Sequence, residues 1–428
     1  MKIAAVIAEY NPFHKGHLYQ LTTLRDELGA DKIIVVMSGD FVQRGAPAIL
    51  DKYTRCRMAL ENGADMVIEL PVCFALGSAE YFAQGAISLL DKLGVVDLLY
   101  FGSECGDIDT LKACAQTLSV EPPAYKTLLK QYLKQGYSFP YARSIAFSSL
   151  FSDNAPNQTP DSEKILATPN NNLGVEYIKA LLQRNSTITP ETLRRKDNGY
   201  ASATLTSGGF ASANAIRGAL LSDAVPVEEL RDFLPASVSR SLETFLHSYL
   251  SVDDFSALLH YKLITERPKG RECYTPFYDV SEQLSNTLYH RLPDYTGFSG
   301  FALACKSKNL TYARVSRCLM HILLDMKQET VNALKEQDYC QYARVLGFRE
   351  SGRELFTLFK ANAAIPIITR PSTARKQLSA LAWEAFTADV TASDIYQSVL
   401  SSKMTSMSYT RSSQQVPNER TRQIIKLP

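Results

Sequence analysis

Short apolar runs alternate with stretches of helical periodicity through the first hundred residues. Ile3-Ala4-Ala5-Val6-Ile7-Ala8 has the length and character of a strand covered on both faces. Asn11-Pro12-Phe13 breaks it. From Gly16 onward Leu18, Leu21, Leu24 and Leu28 recur at helical spacing, and Gly29 is placed to cap that helix. Lys32–Met37 reads as a second buried strand ending at Ser38-Gly39-Asp40. The alternation continues with a helix over Lys52–Asn62, a strand over Met66–Leu70 stopped by Pro71, a helix over Ala79–Leu93 and a strand over Val96–Phe101. Strand, helix and strand in that order predict parallel crossovers and an α/β, doubly wound parallel sheet. After Arg217 the pattern changes. Ser222–Leu263, Ser281–Leu292, Tyr312–Leu324, Lys335–Lys360 and Ser379–Ser398 show helical spacing, broken at Pro226 and Pro235. The chain thus divides into an α/β unit over 1–222 and a mostly α-helical half over 223–428. A surface loop is expected at Asn154–Ser162, rich in Asn, Pro, Ser and Thr.

Composition alters this picture little. A chain of 428 residues is too long for one compact core. The net charge of +2 gives no global instruction, so a nucleic-acid partner has to be sought in local patches. Eight cysteines without a C-x-x-C pair suit reduced, buried thiols better than zinc or disulfides. The N-terminus lacks the ordered parts of a signal peptide, and no apolar run approaches the ~20 residues that span a bilayer. A cytoplasmic protein is expected, with no membrane association and no obligate protein partner in evidence.

In doubly wound sheets ligands sit beyond the carboxyl ends of the strands, where Glu9–His17, Ser38–Gly45 and Gly102–Glu104 fall. His14-Lys15-Gly16-His17 follows the first strand and opens the first helix. Glycine lets a ligand approach the backbone, and a helix N-terminus offers free N–H groups to phosphate. Histidines can donate to the charge that develops when an α-phosphate is attacked, and Lys15 adds a point charge. This pattern resembles the H-x-G-H signature of HIGH-type nucleotidyltransferases, whose adenylation unit is Rossmann-like. Ser212-Ala213-Asn214-Ala215-Ile216-Arg217 resembles their S-S-T-x-I-R element, with Asn214 where threonine is common. Ser212 could cap a helix and bond phosphate, and Arg217 could reach the β- and γ-phosphates. His14, Lys15, His17 and Arg217 are the catalytic candidates. Glu9, Asp40 and Glu104 read equally well as site carboxylates or loop groups. Gln43-Arg44-Gly45 reads as a phosphate or RNA contact or as a surface turn.

Further stretches narrow the resemblance. Ile7-Ala8-Glu9-Tyr10-Asn11-Pro12-Phe13-His14, Met37-Ser38-Gly39-Asp40-Phe41-Val42-Gln43-Arg44-Gly45, Phe101-Gly102-Ser103-Glu104, Pro169-Asn170-Asn171 and Thr192-Leu193-Arg194-Arg195-Lys196 together resemble the bacterial tRNA(Met) cytidine acetate ligase family. A thinner likeness continues in Tyr342–Phe348 and Asp394–Tyr396. The resemblance implies that acetate and ATP form acetyl-adenylate, and that N4 of the wobble cytidine of elongator tRNA(Met) takes the acetyl group. It also implies ATP contacts at Ile7, Ala8, Glu9, Tyr10, Asn11, Pro12, Phe13, His14, Lys15, Gly16, His17, Leu18, Tyr19 and Gln20, and at Gly102, Asn170 (or Asn171) and Arg195. Ser212 joins them through the second motif. Pyrophosphate usually leaves with Mg2+, yet no dedicated metal cage is visible. Basic residues gather at Arg344, Arg349, Arg353, Lys360, Arg370, Arg375 and Lys376, and in a tail with Lys403, Arg411, Arg420, Arg422 and Lys426. They suit an RNA backbone or a set of solvated faces alike. The N-terminal half by itself also permits a small-molecule cofactor adenylyltransferase, or a nucleotide-binding regulator without catalysis.

Overall fold

The structure, a computed structural model, describes residues 1–152, 162–195, 210–222, 226–244, 249–407 and 418–428. The loop expected at Asn154–Ser162, apart from Ser162 itself, lies outside the described residues, as do Lys196 and Arg411.

One sheet organises the chain. Its strands are β1 (Ile3–Ala8), β2 (Lys32–Ser38), β3 (Met66–Leu70), β4 (Leu98–Ser103), β5 (Thr189–Arg194), β6 (Ala343–Arg349), the short β7 (Ile367–Ile368) and β8 (Ile425–Leu427). The order across the sheet is β8-β6-β3-β2-β1-β4-β5, with β7 also paired to β6. β1 lies parallel to β2 in register from Ile3↔Lys32 to Ala8↔Met37, and the β2–β3, β1–β4 and β4–β5 pairs are parallel too. Crossovers run through α1 (Lys15–Asp26), α2 (Lys52–Glu61) and α3 (Ala79–Leu93). The central strands are apolar on both faces because each face is covered by its own packed layer. The α/β expectation therefore holds, and the first three strands fall where their apolar runs predict. β4 begins two residues later than its apolar run and extends through Gly102 and Ser103. Pairing of those two with Leu193 and Arg194 of β5 carries the ladder past the hydrophobic stretch.

The helical reading of Lys335–Lys360 is corrected. Helices occupy Gln328–Glu336 and Glu354–Asn362, but β6 lies between them and pairs antiparallel with β3, Met66 opposite Phe348 and Glu69 opposite Arg344. Gly347 is pressed against Cys56, Leu60 and Ile425, so the strand sits where a side chain would not fit. The C-terminal half thus completes one edge of the sheet.

Arg344 is corrected with it. It is no part of a basic surface, being 1% exposed and paired with Glu69 (3.2 Å) and Glu419. Lys52 joins the same buried group through Glu69 (2.8 Å) and Glu419 (2.7 Å). Lys403 is also a tie, donating to the Tyr249 carbonyl (2.8 Å) and pairing with Asp254 (2.9 Å).

Further helices are α4 (Pro123–Lys134), α5 (Phe139–Ser152), α6 (Pro169–Gln183), α7 (Ala213–Leu221), α8 (Tyr312–Leu323) and α9 (Ala380–Met407). All eight cysteines are free thiols, seven of them buried and Cys105 half-buried. Among the described residues no helix is long and apolar enough to cross a membrane.

Candidate active site

At the carboxyl end of β1 the chain turns sharply. Tyr10 sits at φ +47°, a left-handed conformation that costs an aromatic residue energy and recurs at functional sites. His14 then becomes the N-cap of α1. Its Nδ1 accepts from the Gly16 N–H at 3.0 Å, and the Nδ1 of His17 accepts from the His14 N–H at 3.3 Å. This is a capping box in which two imidazoles stand in for the usual hydroxyl and carboxylate. A Cβ on Gly16 would meet the His14 ring at 2.9 Å, so glycine is required between the histidines. The two rings stack with centroids 3.7 Å apart. Because both Nδ1 atoms accept, the hydrogen-bond network assigns the protons to both Nε2 atoms. Burial, then His14 and Arg195, hold the His17 pKa well below its usual value. His17 is therefore a neutral N–H donor.

Around this cap lies a cavity of about 230 Å³. Ile7, Ala8, Glu9, Tyr10 and Asn11 from the end of β1 line it, with His14, Gly16, His17, Tyr19 and Gln20 of the first turns of α1. Gly102 faces them from β4. Asn170, from the start of α6, and Arg195 close one wall, the guanidinium donating to Asn170 Oδ1 at 3.4 Å. Asn171 points away and accepts from the Cys105 N–H, which resolves the register of the asparagine run in favour of Asn170 as the cavity residue. Arg217 of α7 enters opposite, donating to the Asn11 carbonyl (2.6 Å) and to Asn214 Oδ1 (3.0 Å). Asn214 thus orients the arginine. Burial lowers the Arg217 pKa, Glu9 opposes that and Arg44 adds to it, so these three charges converge.

Arg44 and Gln43 reach the cavity from a hairpin, Phe41–Val42 paired with Ala46–Pro47. The Gln43 N–H donates to Glu9 at 3.0 Å. Gly45, at φ +75°, lies against the backbone of Ser316 and Arg317 in α8, and Ser316 Oγ donates to its carbonyl at 2.7 Å. A helix of the C-terminal half thereby fixes the hairpin that carries Arg44.

The family model described as HIGH Nucleotidyl Transferase matches residues 1–412. A curated relative from Thermoanaerobacter sp. (strain X514), named tRNA(Met) cytidine acetate ligase, is 40% identical over 92% of this chain and 95% of its own length. A relative of the same name from Clostridium novyi is 40% identical over 86% of this chain and 89% of its own. The chain belongs to the tRNA(Met) cytidine acetate ligase family of HIGH nucleotidyltransferases. Two solved structures of Thermotoga maritima TmcAL, one bound with alpha-thio ATP and one apo, superpose with TM-scores of 0.88 and 0.90 at 33% identity, covering both chains fully.

In this ligase-family cavity the sequence-predicted residues separate into two groups. His14, His17, Arg217, Gly102, Asn170, Arg195 and most of Ile7–Gln20 converge on it. Lys15, Pro12, Phe13, Leu18 and Ser212 are not among the lining residues. Lys15 leans outward and donates to the Asp232 carbonyl at 2.7 Å. Phe13 is buried and packs on Tyr10 (4.7 Å) and His17 (5.5 Å), holding the motif from beneath. Ser212 caps α7, accepting from the Ala215 N–H at 3.2 Å.

Of the three candidate carboxylates only Glu9 lines the cavity. Asp40 is buried, accepts from the Lys52 N–H and Ser393 Oγ (both 2.7 Å), and is pushed up to about 6 by that burial. Glu104 accepts from the N–H groups of Asn170 and Asn171 at the start of α6, ordering that wall. Phe82, Leu173, Tyr177 and Phe210 also line the cavity and were not legible as site residues. Each reads as an ordinary apolar position, and sheet order alone brings them together.

Proposed function

We propose that this protein activates acetate with ATP and acetylates N4 of the wobble cytidine of elongator tRNA(Met). The observation that carries the reading is the convergence of both halves of the nucleotide signature, His14/His17 and Arg217, on one cavity in a chain of this family. In the first step an acetate oxygen attacks the α-phosphorus and the bond to the β-phosphate bridging oxygen breaks, giving acetyl-adenylate and pyrophosphate. In the second, the cytidine N4 attacks the acetyl carbon, AMP leaves with the bonding pair, and the amine proton passes to solvent or to AMP.

The chain's own groups match those charges. The two Nε2–H donors stabilise the α-phosphoryl oxygens, where charge grows in the transition state. Arg217 and Arg44 face the β- and γ-phosphates and the departing pyrophosphate. Gly102 leaves room for the nucleotide against β4, since even a Cβ there would crowd Arg195 at 3.3 Å. Lys15 takes no direct part. Among the described residues no cluster of His, Cys, Asp or Glu could hold a metal, and Glu9 is the lone carboxylate of the cavity lining. Magnesium would arrive on the nucleotide's phosphates and neutralise their charge, with Glu9 the protein group available to it. ATP and tRNA as substrates favour a cytoplasmic place of action.

The test is radiolabelled pyrophosphate exchange into ATP with acetate, with propionate and with no carboxylate, followed by mass spectrometry of tRNA(Met) incubated without acetyl-CoA. Exchange that needs acetate, together with an acetylated cytidine, is the expected result. Exchange indifferent to acetate would remove the reading.

A further inference from the structure

Of the basic C-terminal cluster read from the sequence, Arg344 is buried in an ion-pair group and Lys403 is a structural tie, while Lys360, Arg370, Arg375 and Lys376 stay exposed. A second region sets exposed aromatics beside its lysines. From Pro122 to Ser152 the chain contains no Asp or Glu, the span that forms α4 and α5. Lys126, Lys130 and Lys134 recur every fourth residue along α4 and are exposed, on a stripe that buried Tyr125 leaves to solvent. Lys126 reaches Glu121 only at 3.7 Å, just before the acid-free span.

After these lysines stand aromatics that the core does not take. Phe139 and Tyr141 are each 50% exposed, and the Tyr137 and Tyr141 rings meet edge to face at 5.2 Å. Lys308, from a second acid-free stretch of the C-terminal half, places its ammonium 5.3 Å from the Tyr137 ring. Exposed aromatic faces beside lysines suit unpaired bases, which stack on the rings while the backbone phosphates meet the cations. A protein interface would deplete lysine at its centre.

The patch is also joined to the catalytic cavity. Arg143, two residues beyond Tyr141, is buried, donates to Asn172 Oδ1 at 3.2 Å and pairs with Glu176 at 2.5 Å, both on α6. Asn170, Leu173 and Tyr177 of that helix line the cavity. We infer that the α4–α5 surface of Lys130, Lys134, Tyr137, Phe139, Tyr141 and Lys308 is the docking site for a single-stranded RNA loop, and so presents the target cytidine to the cavity. This identification of the RNA as substrate rests on the proposed ligase function.

The test uses full-length protein and a fluorescent anticodon stem-loop of tRNA(Met), read by anisotropy, with acetate-dependent pyrophosphate exchange measured in parallel. Phe139→Ala/Tyr141→Ala is expected to weaken RNA binding about tenfold or more while leaving exchange at the wild-type rate. Lys130→Ala/Lys134→Ala is expected to reduce the slope of log K against log salt by about 1.4, the value for two phosphate contacts on a single strand. Because these four positions are exposed, intact exchange also reports an intact fold. Unchanged affinity and salt slope in both variants would overturn the inference. So would a self-association that the aromatic variant abolishes while RNA binding persists, since the surface would then serve a second copy of the chain. Failure of wild-type exchange would sink the ligase reading alone, because anisotropy still decides the patch.

Discussion

His14 and His17 show what two side chains can settle. Each uses Nδ1 to cap the helix it begins, so each must carry its remaining proton on Nε2. The structural role and the proposed catalytic role thus use opposite edges of the same ring. Replacing His17 by Ala is expected to lower acetate-dependent pyrophosphate exchange by about 10² or more, the cost of one preorganised donor. Wild-type exchange after His17→Ala would remove His17 from the chemistry. A pH profile checks the protonation state. With the His17 pKa held well below 6.5 by burial, His14 and Arg195, the donor stays neutral and the exchange rate should be level from pH 8 to 6.5. A rate climbing through that interval as the pH falls would mean that an imidazolium does the work. His17 also favours the native state most above pH 6.5, the unfolded value, and loses that contribution as the pH drops below it, because the unfolded chain binds the proton more readily. At this scale the sequence was highly informative: H-x-G-H after an apolar run specifies strand, cap and helix together. It did not reveal that Lys15 leans outward, because the direction of a side chain leaving the first helical turn depends on the Asp232 carbonyl, more than 200 residues away.

Among elements, the hairpin bearing Arg44 depends most on distant chain. Its tip residue Gly45 is pressed onto the backbone of α8, and Ser316 donates to it. Gly45→Ala would place a Cβ into that backbone at a left-handed φ, so the hairpin must shift. The expected outcome is a rise of at least about tenfold in KM for ATP, as Arg44 moves out of line with Arg217, with stability lower by roughly 1–3 kcal/mol. Steady-state kinetics and urea unfolding of the variant measure both. An unchanged KM would show that Arg44 contributes nothing to the nucleotide site. Local pattern gave the parallel strands and their helices correctly, since each is a run or a period within a dozen residues. It failed at β6 because Ala343-Arg344-Val345-Leu346-Gly347-Phe348 is apolar enough for a buried helix or strand, and only pairing with Met66–Glu69 decides between them. Phe82 and Tyr177 were opaque for the same reason. Their helices look amphipathic, and nothing nearby says that their apolar faces meet at a ligand cavity.

Across the whole molecule, the far end of the chain is clasped to the sheet by charge. Glu419 is 1% exposed and accepts from Tyr53 (3.0 Å) while pairing with Lys52 (2.7 Å) and Arg344. Burial acts to raise its pKa, but Lys52 and Arg344 outweigh it and hold the carboxyl down at about 2. Glu69, on the other side of both cations, touches the space where a Gly39 side chain would be, beneath the segment that leads into the Arg44 hairpin. The clasp therefore supports the active-site edge of the sheet as well as the C-terminus. A depressed carboxyl favours the native state fully above its unfolded pKa near 4.5, and that contribution fades as the pH falls toward 2. A shift of that size corresponds to roughly 3 kcal/mol at pH 7. Glu419→Gln is accordingly expected to unfold at lower urea than wild type at pH 7, with a stability gap of about 3 kcal/mol that narrows to about 2 kcal/mol at pH 3.5. Two variants of equal stability at pH 7, or a gap indifferent to pH, would show that the buried pair contributes no net stability. In that case the C-terminal segment would be held by the β8 ladder and its apolar contacts alone.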